Sequence, residues 1–150
     1  MKKKLILGSL ALVLGAGYGA AALAQAKPDV LVKQRQSAMT LLGKYWGPLG
    51  AMNAGKLPYN AETVARNAPI LEVLSKLPWD GFTENTKGEK SKARPEVFTD
   101  SAKFKTASER MQTAIAHLAK VSKSDEATVK VALADAGKTC GACHDDFREK

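Results

Sequence analysis

Residues 124–148 read Ser124-Asp125-Glu126-Ala127-Thr128-Val129-Lys130-Val131-Ala132-Leu133-Ala134-Asp135-Ala136-Gly137-Lys138-Thr139-Cys140-Gly141-Ala142-Cys143-His144-Asp145-Asp146-Phe147-Arg148. Ser124 suits a helix N-cap, and Asp125 and Glu126 put negative charge in the first turn, where the helix dipole favours it. Val129, Leu133, Ala136 and Cys140 recur three or four residues apart, and Cys143 and His144 continue the stripe. One helix therefore buries an apolar face that ends in two thiols and an imidazole, all on the same side.

The same periodicity predicts three helices upstream. The first starts near Pro28, a residue suited to an opening turn, places Leu31, Arg35, Ala38, Met39, Leu42 and Trp46 on one stripe, and ends around Gly47-Pro48 or slightly beyond. The second has Asn60 as N-cap and carries Val64, Ile70, Leu71 and Leu74, with Pro69 predicting a kink or a late start. The third opens at Asp100 or Ser101 and buries Phe104, Met111, Ile115 and Leu118, before a break at Ser122-Lys123-Ser124. A long irregular connection, Pro78 to Thr99, is rich in Gly, Lys and Glu, and a loop of that length is placed to cover a site. There is no alternating strand pattern and no internal repeat. Four amphipathic helices hide their apolar faces most economically as an all-α, antiparallel four-helix bundle, whose cofactor sites lie between facing helices.

Cys140-Gly141-Ala142-Cys143-His144 matches the Cys-x-x-Cys-His pattern of covalent haem attachment. That chemistry needs two thiols for the two vinyl groups and an imidazole to bind the iron from the same side. The expectation is one haem c per chain near the C-terminal helix, with Cys140 and Cys143 as thioether positions and His144 as axial iron ligand. A hydrogen-bond acceptor for the other ring N–H of His144 would fix its tautomer. Two other uses of the motif compete. A redox dithiol of thioredoxin type wants a strand feeding a helix, whereas this motif ends an all-helical chain. A structural zinc site wants four ligands, and the chain holds only two cysteines and two histidines. His117 falls off the stripe of the third helix and is expected to be exposed rather than ligating. With both cysteines in the motif, no disulfide framework is available.

The chain opens with Lys2, Lys3 and Lys4, an apolar stretch from Leu5 to Ala20 and the small-residue run Ala22-Leu23-Ala24. This order predicts a secretion signal removed after Ala24, and Gly8, Gly15, Gly17 and Gly19 argue against a retained anchor. The remaining residues, 25–150, suit a single domain. Removal of the signal takes three of the 23 basic residues and none of the 15 acidic ones, leaving a modestly basic protein with no membrane attachment. Its lysines are scattered, and no aromatic-interleaved basic motif or zinc-finger spacing points to nucleic acid. An acidic redox partner is compatible with that charge. Export is expected to deliver the chain to the periplasm. No acid, base or nucleophile constellation beyond the motif indicates an enzyme.

Four stretches together resemble cytochrome c′, a family of class II c-type cytochromes, across nearly the whole mature chain. They are Arg35-Gln36-Ser37-Ala38-Met39-Thr40, Leu77-Pro78-Trp79, Ala93-Arg94-Pro95-Glu96 and Cys140-Gly141-Ala142-Cys143-His144-Asp145-Asp146-Phe147-Arg148. The resemblance implies a homodimeric four-helix bundle whose haem iron is five-coordinate and takes up NO and often CO. Met39 matches the position that closes the distal face. Arg35 and Gln36 match positions approaching the haem propionates, where a guanidinium binds a carboxylate through two parallel hydrogen bonds. Arg94 and Glu96 fall in a segment near the haem edge, and Arg148 flanks the proximal pocket. A non-ligating Met39 makes a gate over an open iron site, whereas a ligating Met39 makes a six-coordinate electron carrier. Trp79 and Phe82 are expected on the haem or the bundle end, and Leu41 and Leu49 are compatible with a dimer face.

Overall fold

The structure, a computed structural model, describes residues 26–150, so the expected secretion signal lies outside the described residues. Among the described residues five α-helices follow one another: α1 (Pro28–Asn53), α2 (Ala61–Leu74), α3 (Glu96–Thr99), α4 (Ser101–Val121) and α5 (Glu126–Phe147). The four long helices form the bundle, with α4 lying along α5 and α2, and α1 packing on α2 and α5. Short connections after α1 and α4 make each pair antiparallel neighbours. At the first of these, Gly55 takes the left-handed conformation, φ 68°, that reverses the chain. Among the described residues no helix is long and apolar enough to cross a membrane.

The apolar stripes meet as expected at one end of the bundle. Leu49, Val64, Leu71, Ile115, Leu118, Val129 and Leu133 form a closely packed core, none of them more than 1% exposed. Buried Asn67 is held there by its hydrogen bond to Tyr45 O at 3.0 Å. On α1 the outcome is different, because Leu31, Met39, Leu42 and Trp46 are only partly buried. Most of that stripe borders open space inside the bundle rather than packed atoms.

Four expectations need correction. The N-cap of α5 is Asp125, not Ser124: its carboxylate accepts from Thr128 N at 2.9 Å and Thr128 Oγ1 at 2.7 Å, satisfying a donor that the helix leaves unpaired. The late start offered for the second helix does not occur, since α2 begins on its expected Asn60 cap and continues through Pro69 to Leu74, while α1 runs beyond Pro48 to Asn53. Leu49 is fully buried in the core, so it is not part of an outer face, whereas Leu41 is 42% exposed. The connection from Pro78 to Thr99 is not structureless. It contains helical turns at Trp79–Gly81 and Glu84–Thr86 and ends in α3.

The Thr128 hydrogen bonds hold the Asp125 carboxyl below the ordinary carboxylate range. A lowered folded value means the cap contributes stability above about pH 4 and loses it as pH falls through that value. Asp125→Asn keeps a capping acceptor but does not titrate. Thermal melts from pH 7 down to pH 3, at fixed ionic strength, should therefore show a larger loss of Tm in the wild type than in the Asp125→Asn variant.

Candidate functional site

A cavity of about 600 Å³ opens between α1, α4, α5 and the strap that joins α2 to α3. Met39, Leu42, Gly43 and Trp46 supply the α1 wall, Phe104, Met111 and Ile115 the α4 wall, and Cys140, Cys143, His144 and Phe147 the α5 wall. This volume falls in the range of about 300–1,000 Å³ typical of sites for small molecules and cofactors. Helical spacing explains the α5 wall: positions 140, 143 and 144 lie within one turn, as the sequence predicts.

Both thiols are partly buried, and that burial pushes their pKa values upward. Cys140 rises to about 11, first through desolvation and then through the nearby Cys143. A reactive dithiol needs the opposite shift, toward thiolate. His144 is exposed and borders the cavity, yet desolvation, followed by the charge of Arg148, moves its pKa down, with Asp145 opposing. A neutral imidazole is the form that binds iron.

On the α1 side Arg35 is 3% exposed. Its Nη1 donates to Gly81 O at 2.6 Å and Thr86 Oγ1 at 3.0 Å, its Nη2 donates to Ser91 Oγ at 3.0 Å, and its guanidinium carbon sits 4.3 Å from the Phe82 ring centroid. Every acceptor is neutral, and among the described residues no carboxylate pairs with this buried cation. Burial pulls its pKa down, but an arginine remains protonated in any case. The close approach needs Gly81, because a Cβ there would stand 2.8 Å from Leu31 O and 2.9 Å from Arg35 Cβ. Gln36 is exposed and reaches the strap through Lys90 O at 3.5 Å.

The other predicted positions divide. Arg148 borders the cavity. Its backbone has left the helix, with φ −123° and ψ 133°, and pairs with Ala93 in an isolated antiparallel bridge. Arg94 and Glu96 do not border the cavity. They pair with each other at 3.0 Å, and Arg94 turns toward the end of α5 instead. His117 is exposed and lies in a separate shallow groove between α4 and α5. Trp79 and Phe82 border the cavity, where they join Phe104 and Phe147 in a chain of aromatic contacts with centroids 4.9–6.2 Å apart. The sequence reading missed Ser91, Thr86 and Gly43. The first two sit in an aperiodic segment and signal nothing until Arg35 is seen to need acceptors.

The sequence profile of the family described as cytochrome c′ matches residues 30–148. The chain belongs to the cytochrome c′ family. The cytochrome c′ of Rubrivivax gelatinosus is 39% identical over 126 residues, covering 83% of this chain and 98% of the relative. The solved structure of cytochrome c prime from Shewanella frigidimarina superposes with a TM-score of 0.76 at 32% identity, covering 82% of this chain and 97% of that one. The nitric oxide complex of a point mutant of cytochrome c prime from Alcaligenes xylosoxidans gives 0.73 at 38% identity, covering 83% and 98%. Cytochromes c′ carry covalently attached haem c, and these neighbours share the four-helix bundle. The residues present fit that group: a largely apolar cavity of cofactor size, two thiols and an imidazole on one wall, and a buried cation lacking an anion.

Replacing Arg35 by Ala removes the guanidinium from Gly81 O, Thr86 Oγ1 and Ser91 Oγ, leaving Gly81 O only the longer contact from Thr86 Oγ1 at 3.4 Å and Ser91 Oγ only the Ala93 N–H at 3.2 Å, and hydrogen bonds to a charged group are worth roughly 1.5–3 kcal/mol each. Limited trypsin digestion of Arg35→Ala should cleave after Lys87, Lys90 and Lys92 several-fold faster than in the wild type, with cleavage elsewhere unchanged.

Proposed function

We propose that this cytochrome c′ is a periplasmic haem protein that binds NO and CO at a five-coordinate iron and exchanges electrons with a redox partner. In this reading Cys140 and Cys143 form the thioether links, His144 is the axial ligand on the α5 side, and Met39 crowds the α1 side without ligating. The observation that carries it is that the thiols and imidazole share one wall of the cavity while an apolar, flexible thioether side chain, Met39, borders it from the facing helix. The nitric oxide complex of the Alcaligenes xylosoxidans relative supports the choice of gas. When bound, the haem supplies an iron with one coordination position free for a diatomic ligand.

The protein's own groups do the rest. The apolar walls exclude water, and Met39 must yield before a diatomic ligand enters, which makes it a steric filter. Arg35 and Gln36 bind the haem carboxylates, with Arg35 gaining the anion that its buried charge lacks. Arg148 stands at the rim beside His144 and adds positive charge on that side. The Lys-rich start, the apolar stretch and Ala22-Leu23-Ala24 direct export with cleavage after Ala24, and the outer faces of α1 and α2 meet a second copy in a homodimer, with Leu41 in the contact.

Optical spectra of the ferric and ferrous protein should be high-spin, with a clear shift on adding CO. Met39→Ala should bind CO at least roughly tenfold more tightly, equivalent to about 1.4 kcal/mol of relieved crowding. Low-spin spectra indifferent to CO would instead make Met39 the sixth ligand and the protein a six-coordinate electron carrier.

A further inference from the structure

The last turn of α5 ends at Phe147, three residues beyond His144, and helix ends leave their final carbonyls without partners inside the helix. Arg94 supplies partners for two of them. Its backbone N–H donates to Phe147 O at 3.0 Å, and its Nη1 donates to Asp145 O at 3.3 Å. Its Nη2 is held by Glu96 Oε1 at 3.0 Å, so the guanidinium is oriented as well as attracted. The other carboxylate oxygen, Glu96 Oε2, is buried without a hydrogen-bond partner, so Oε1 carries the contact to Arg94. Pro95 fixes the next φ and disfavours a helical conformation at Arg94, keeping this residue extended alongside α5. A second backbone hydrogen bond, Glu149 N to Lys92 O at 2.9 Å, completes the pairing. A cation here also complements the negative end of the helix dipole.

The two carbonyls that Arg94 binds belong to Asp145 and Phe147, on either side of Asp146. They belong to the turn immediately after His144 and immediately before Arg148. We infer that Arg94 is a positioning residue: it acts through the last turn of α5 to set the ring orientation of His144 and the direction in which Arg148 leaves the helix. This role is distinct from the haem-edge contact expected from the sequence, and it rests on the reading of His144 as the iron ligand. It makes the strap a two-ended device, fastened to α1 by Arg35 and to the end of α5 by Arg94.

The test uses the haem-loaded protein and the variants Arg94→Ala, Arg94→Lys and Glu96→Gln. Two readouts are taken: the iron–histidine stretching band of the ferrous protein by resonance Raman, and amide hydrogen exchange at Phe147, Arg148 and Glu149. Arg94→Ala should shift or broaden the band and speed exchange at those amides by about tenfold, through opening confined to this turn. Arg94→Lys keeps the charge and the backbone N–H but not the planar fork, so it should restore exchange in part while leaving the band displaced. Glu96→Gln should move both readouts less than Arg94→Ala. An unchanged band and unchanged exchange in Arg94→Ala, with only a lower Tm, would overturn the inference and leave Arg94 a general stabilising contact. A wild-type protein with no iron–histidine band would instead overturn the assignment of His144, which separates the two failures.

Discussion

A guanidinium buried to 3% exposure without a carboxylate partner is the constraint around which the site is arranged. Isolated charges are costly to bury, and the structure answers with three neutral acceptors and one aromatic face, all from the strap between α2 and α3. Those contacts bend an aperiodic segment over the bundle and require a glycine at position 81. The packed core lies at the other end of the bundle.

The long helices were legible because their apolar residues repeat with helical period, and that repeat also brought Cys140, Cys143 and His144 to one wall. The strap was legible only as a long connection. Its structure comes from Arg35 reaching residues 46 to 56 positions away, and no local pattern encodes such pairs. The misplaced cap is a local matter: Ser124 and Asp125 are adjacent capping residues, and the hydrogen bonds to Thr128 decide between them. Arg94 and Glu96 were placed near the haem edge by resemblance, and no local pattern signals that a carbonyl at the end of α5 also lies within reach of the Arg94 guanidinium. Leu49 is apolar and lies on the first helix, which made it compatible with a dimer face, yet α1 carries it into the core.

Electrostatics and shape agree on one use for the cavity. Raised thiol pKa values run against a redox dithiol, which must ionise to react. A histidine whose pKa is lowered offers a neutral nitrogen. The apolar lining suits a flat hydrophobic ring system, and among the described residues a single buried cation, Arg35, borders the same cavity. No single feature selects the group, but membership of the cytochrome c′ family and these four features point to the same one.

The most direct test is the intact mass of the mature protein, measured after denaturation in acidified organic solvent, which extracts haem that is not covalently bound. The account predicts a chain beginning after Ala24 that retains one haem, and a Cys140→Ala, Cys143→Ala double variant that retains none. A wild-type chain that gives up its haem to the solvent, or never carries one, would contradict it.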